Sequence, residues 1–203
     1  MTDQQLSRRE QNKTATRRAI ADATLGLVRS KGAGQFTIDD IAEAAGISRR
    51  TFFNYFPSTS AALNVAMEDF LDGVLGHFQA RPQNENIVDS MLHALSQPAD
   101  PANLAVMAEL HGLAEKHPDM ARVHLEAWDQ AEHRIVDSLR TRLGQETDPF
   151  YTGTLVAAVL ACGRSAFAQW QYRTQGEITP QTLKLLEELF TEAIGFLRDG
   201  FSR

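Results

Sequence analysis

The chain lacks the residues on which most small enzymes and disulfide-built modules depend. Cys162 is the single cysteine among 203 residues, so no internal disulfide can form. It lies in an apolar stretch near no obvious base, which marks it as a packing residue and not a nucleophile. The six histidines show neither an HExxH pair nor a tight cluster, leaving no metal site and implying no cofactor. GxGxxG, Walker and GxSxG loops are all missing, and Gly32 and Gly34 of SKGAGQ belong to a loop between helices and not to a phosphate cradle. No run of alternating β-branched residues reads as a strand. The most apolar stretch, LVAAVLAC from Leu155 to Cys162, ends in Gly163 and Arg164 and is too short to span a bilayer. With no signal peptide at the start, the expected compartment is a reducing cytoplasm.

Charge is unevenly spread. The whole chain is acidic, with net charge −6 and pI near 5.5. Residues 1 to 56 nevertheless carry nine Lys/Arg against six acids, while the remaining 147 carry eleven against twenty. A locally basic end on an acidic body is the electrostatic footprint of a nucleic-acid binder.

Within that end, TIDDIAEAAGISRRTFFNYF, from Thr37 to Phe56, reads as two short helices joined by a glycine turn. Thr37 and Asp40 have capping-box spacing. Ile38, Ile41, Ala42 and Ala45 form a narrow apolar stripe, with Asp39, Asp40 and Glu43 kept off it. Gly46 can take the left-handed conformation that stops a helix, and Ile47 plugs the corner. Ser48 restarts the chain as an N-cap, placing Arg49, Arg50 and Thr51 in the first turn of the second helix and Phe52 and Phe56 on its buried side. The spacing is that of a helix-turn-helix, whose second helix meets base edges and phosphates with its first turn. A helical enzyme carrying this spacing by accident, and a protein-interaction adaptor that keeps the fold without reading sequence, are the alternatives; a competitor titration separates the latter.

The order of basic arm, helix ending in SKGAGQFT, DDIAEAAGIS turn and TFFNYFPS resembles the N-terminal domain of TetR-family transcriptional regulators over about Thr14 to Leu63. Arg17, Thr37, Ser48, Arg49, Arg50, Thr51, Asn54 and Tyr55 are the expected DNA contacts. Two positions depart from the family pattern: Thr59 replaces a frequent phosphate-binding lysine, and Phe53 a frequent tyrosine. Arg50, where many relatives have a small residue, is placed to supply the missing charge. The RRTFFNYFPS motif looks closest to a branch that includes regulators answering to acyl-CoA esters.

The expected organisation is a flexible basic arm over residues 1–13, a helix-turn-helix domain over 14–57, and a helical effector-binding and dimerisation domain over 58–203. In the first helix Ile20, Ala23, Leu27 and Val28 make the buried stripe. One long helix is expected from Ser58 to about Ala80, with Gly73 and Gly76 marking close packing. Breaks rich in Pro, Gly, Asn and Asp then separate helices at 86–96, 102–115, 119–143, 150–174 and 180–200, an all-α fold of about nine helices.

The last two helices carry more apolar surface than one partner needs, which predicts a homodimer through a four-helix interface formed by Leu155, Val159, Phe167, Leu186, Phe190, Ile194 and Leu197, as the resemblance also implies. A twofold pair of recognition helices predicts a palindromic operator. Met67, Phe70, Met91, Leu95, Met107, Leu110, His111, His124, Trp128, Phe167 and Trp170 are the candidate lining of an effector site. That lining suits a small apolar or aromatic ligand, an acyl-CoA among the candidates, with His111, His124 or Gln169 fixing a polar group. Repression released by ligand is the majority behaviour of the resembling family.

Overall fold

In the computed structural model residues 8–144 and 147–202 are described, and every regular element among them is helical. The chain divides between Val65 and Ala66 into two compact units.

The first unit contains α1 (Arg8–Lys31), α2 (Ile38–Ala44), α3 (Arg49–Tyr55) and α4 (Thr59–Leu63). α1 starts six residues before the expected Thr14, because RREQNKTATRR is free of glycine and proline and made largely of good helix formers. The arm therefore becomes helix from Arg8, and residues 1–7 lie outside the described residues. Its buried stripe is Ile20, Thr24, Leu25 and Val28. Ala23 and Leu27 are only half-buried. Thr24 tolerates full burial by donating its hydroxyl proton to the Ile20 carbonyl at 2.7 Å. Ile20, Ile41, Phe52, Phe56, Ala61, Ala62 and Val65 close one small core. Ala61 and Ala62 explain why the division falls at Val65 and not at Pro57: α4 packs on α1 and belongs to this core.

The expected helix over 58–80 is broken at Asn64, which caps α4 before α5 (Val65–Gln79) begins. Asparagine competes with the helical backbone for hydrogen bonds, and the break raises the count to ten helices among the described residues.

The second unit continues with α6 (Ile87–Leu95), α7 (Pro101–Ala114), α8 (Pro118–Leu143), α9 (Pro149–Thr174) and α10 (Pro180–Arg198). Each of the last four opens on a proline, at the one place where a missing amide proton costs nothing and a fixed φ helps. Asp100, Asp148 and Thr179 cap three of them. The core runs from Phe78 on α5 through Leu104, Met120 and Leu139 to Trp170 and Leu186, all essentially inaccessible. Gly73 and Gly76 do not mark close packing: both are exposed, and a Cβ added at either would meet nothing within 4 Å.

Four of the residues expected at a dimer interface are turned inward. Phe167, Leu186, Phe190 and Ile194 are buried within the subunit, because the α10 stripe faces α9, α6 and α7 of its own chain. Leu155, Val159 and Leu197 are half-buried. The surface that α9 leaves open lies elsewhere. Phe150, Tyr151 and Tyr172 are 81%, 51% and 75% exposed at its two ends. Between them Thr154, Ala157, Ala161, Ser165 and Ala168 form an exposed row of small side chains. α9 as a whole is long and apolar enough to cross a membrane by length and composition, though six of its residues are buried in the subunit.

Candidate nucleic-acid interface and ligand cavity

The helix-turn-helix is built by three local devices. The Thr37 hydroxyl accepts from the Asp40 amide at 3.2 Å while Asp40 Oδ2 accepts from the Thr37 amide at 2.7 Å, closing the capping box. Lys31 donates to Asp40 Oδ1 at 2.6 Å, tying the end of α1 to the start of α2. That hydrogen bond, followed by those from Thr37, holds the Asp40 carboxyl well below the usual carboxylate range. Gly46 turns the corner at φ 66°, and the Ile47 amide donates back to the Ala42 carbonyl at 2.9 Å. Ser48 Oγ accepts from the Thr51 amide at 3.0 Å and starts α3.

These bonds sort the expected DNA contacts. Thr37, Ser48 and Thr51 engage their hydroxyls in capping: Thr37 Oγ1 also lies 2.6 Å from Asp40 Oδ2, and Ser48 Oγ 2.8 Å from Thr51 Oγ1. Arg17 spreads its guanidinium over the Phe56 ring at 5.5 Å, on the core side of α1. Arg49, Arg50 and Asn54 are exposed and Tyr55 is half-buried. Arg49 donates to Asp39 Oδ2 at 2.9 Å and lies over the Phe53 ring at 5.5 Å. Phe53, the position without the usual hydroxyl, is thus a platform for an arginine. Thr59 opens α4 behind its N-cap Ser58.

The second unit contains a partly open cavity of about 80 Å³. Met67, Phe70, Met91, Leu95, Met107, Trp128 and Phe167, all expected from the sequence, line it together. Leu110, His111, His124 and Trp170 do not. Trp170 is sealed into the core, its Nε1 donating to the Thr182 carbonyl at 2.6 Å. The remaining wall comes from α5, α8, α9 and α10, including Leu71, Phe78, Ile135, Leu139 and Gly163. Val159, Phe190 and Ile194, expected at a dimer interface, also belong to it. Helical periodicity marks such residues as buried without saying which side of a neighbour they face, so nothing in the sequence separates cavity wall from solid core.

No lining residue is charged, and the one nitrogen or oxygen among their side chains, Trp128 Nε1, is already bonded to His124 Nε2 at 2.8 Å. His124 therefore presents an unprotonated Nε2. Burial, and then the neighbouring His111, lower its pKa to about 4. His111 Nδ1 lies 3.4 Å from the same nitrogen, and its ring stacks on Phe167 with centroids 5.2 Å apart. Burial lowers its pKa too, against the pull of Glu115. The two histidines thus act behind the wall, fixing Trp128 and Phe167. Gly163 completes that fixing: a Cβ there would meet the Trp128 ring at 3.0 Å. Gln169 is exposed on α9. Among the described residues no group of His, Cys, Asp or Glu has the arrangement of a metal site.

Known proteins share both the motif and the helical body. Residues 20–64 match the family model described as bacterial regulatory proteins, tetR family. The chain is 26% identical over 199 residues to the HTH-type transcriptional regulator TcmR of Streptomyces glaucescens, covering 94% of this chain and 86% of that protein. It is 35% identical to the HTH-type transcriptional regulator EthR of Mycolicibacterium smegmatis over 83 residues, 41% of this chain and 33% of the relative. Among solved structures, the TetR-family repressor FadR of Thermus thermophilus, in complex with lauroyl-CoA, aligns at TM-score 0.51 and 24% identity over 92% of this chain and 95% of its own. A Rhodococcus TetR-family regulator aligns at TM-score 0.52 and 16% identity, over 93% and 100%. Both likenesses concern the all-helical fold.

Proposed function

We propose that the chain is a DNA-binding transcriptional regulator of the TetR family, a homodimeric repressor bound to a palindromic operator and released from it by a neutral apolar ligand. The observation that carries the DNA half is the first turn of α3, where Arg49 and Arg50 are exposed on a capped helix directly after a glycine turn. They are the base-reading candidates, with Asn54 and Tyr55 as phosphate contacts.

Dimerisation is supported by the open face of α9. A row of small residues lets a second helix approach closely, and aromatic residues at both ends offer burial to a twofold copy. Two copies would present their recognition helices to half-sites about one turn, ~34 Å, or a multiple apart.

The cavity supports the ligand half. Its wall offers no ionic group and no free hydrogen-bonding group, so an ion would lose its hydration for nothing. Met67, Met91 and Met107 give it walls that can adapt to a ligand larger than the empty volume. Of an acyl-CoA, such as the one FadR holds, this cavity suits the acyl chain and not the charged head. A ligand that prefers the conformation in which paired recognition helices cannot engage both half-sites weakens operator binding by roughly 5 to 150-fold, the usual scale of such coupling.

Selection of bound duplexes from random DNA, repeated with apolar compounds that raise the melting temperature, tests the whole reading. A palindromic consensus whose affinity drops with such a compound is the expected result. No enrichment would remove the DNA claim, and stabilising compounds that leave affinity unchanged would remove the release mechanism.

A further inference from the structure

The first turns of α1 have no place in the small core. Every residue from Arg8 to Ala15 is exposed, and the buried stripe of α1 begins only at Ile20. A helix that is polar all round needs some other reason to extend so far. Arg9, Asn12, Lys13 and Thr16 recur at i, i+3, i+4 and i+7 and so share one face. That face, with Arg8, forms one wall of an open cleft of about 670 Å³ whose other wall is Asn54 and Tyr55, at the end of α3.

Each of these seven side chains carries a hydrogen-bond donor, three are cationic, and none is a carboxylate. Glu10, the acid in the first turn of α1, is not part of the lining. We propose that this cleft holds one sugar–phosphate strand of duplex DNA, the strand bordering the major groove that α3 enters. α3 spans seven residues and rises roughly 9 Å from Arg49 to Tyr55, to which the side chains at both ends add their own reach. The major groove is about 12 Å wide. With Arg49 and Arg50 at base edges, the far end of α3 therefore reaches the bordering backbone, and α1 closes on it from the other side. Arg8, Arg9 and Lys13 neutralise the phosphates of that strand, and they add affinity without reading sequence.

The inference rests on the DNA-binding function proposed above. Its test is a salt titration of the full-length protein on its selected duplex, comparing the native chain with the triple variant Arg8→Gln, Arg9→Gln, Lys13→Gln. Glutamine preserves helix propensity. The expected result is a log–log salt slope smaller by about 0.9 for each phosphate left unneutralised, so that the affinity ratio between about 50 and about 200 mM salt shrinks roughly 3.5-fold per phosphate. The preference for the selected duplex over a scrambled one should stay unchanged, as should the melting temperature. Shortening the duplex by the nucleotides bordering each half-site should abolish the difference between the two proteins. A triple variant with the native slope and affinity would overturn the cleft while leaving DNA binding intact. A variant that loses its sequence preference would make these residues base readers and overturn it as well. A native chain that binds no duplex would bring down the function and the cleft together.

Discussion

Asp39 Oδ2 accepts a hydrogen bond from Arg49 Nη1 at 2.9 Å, so an acid on α2 occupies the first side chain of the recognition helix. Both groups are more than half exposed, and such surface pairs contribute about 0–1 kcal/mol. The pair positions Arg49 over Phe53 at little cost to its release. Asp39→Asn should therefore tighten operator binding, up to about fivefold, by removing a competitor and a charge that repels phosphate. Fluorescence anisotropy at fixed salt measures this, and weaker binding by the variant would show that Asp39 prepares Arg49 for DNA.

Arg50 is exposed and stands next to Arg49 in the first turn of α3. Replacing it with alanine should relax the consensus of selected duplexes at the base it reads, at a cost of about 1–3 kcal/mol on the native operator. An unchanged consensus together with a salt slope lower by about 0.9 would make Arg50 a phosphate contact instead.

The imidazole of His124 couples the cavity wall to pH. Its folded pKa of about 4 lies below its ordinary 6.5. Between those values the unfolded chain takes up a proton that the folded chain refuses, so this contribution is complete above pH 6.5 and is lost as pH falls toward 4. His111 is shifted in the same direction. The melting temperature should decline across that window, and His124→Gln should flatten the decline while keeping an acceptor for Trp128 Nε1. Equal slopes for the two proteins would locate the pH dependence elsewhere.

Gly163 lines the cavity and lets the Trp128 ring come close. Alanine at an exposed helical site gains up to about 1 kcal/mol, but here its Cβ would press at 3.0 Å on a ring already held by His124. Overpacking costs about 1–3 kcal/mol. Gly163→Ala should lower the melting temperature and weaken the binding of apolar fluorescent probes. Gly73→Ala and Gly76→Ala, with open space around them, should instead each raise stability by up to about 1 kcal/mol. Thermal melts of all three variants read both signs.

Local chemistry determined the DNA-binding motif. The Thr37 and Asp40 capping box, the Gly46 turn and the Ser48 cap depend on neighbours within a few residues, so spacing alone identifies them. The same holds for helix starts at Pro101, Pro118, Pro149 and Pro180, each of which lies in a break visible in the sequence. Asn64 shows where that legibility ends. One poor helix former interrupts an otherwise continuous apolar pattern, and only the packed structure shows two helices where the periodicity read one.

The tertiary structure decided which apolar residues face what. Periodicity marks Phe167, Phe190 and Ile194 as buried, but whether they meet a second chain, a cavity or their own core depends on how α9 and α10 rotate against α5 to α8. The same is true of Arg8, Arg9 and Lys13. Their charge is plain in the sequence; their alignment opposite Asn54 and Tyr55 exists only because α1 begins early and lies across from the end of α3 in one folded unit. Short-range capping and turn chemistry is written in consecutive residues, whereas a cleft or cavity is set by residues far apart in the chain, whose meeting no single helical pattern encodes.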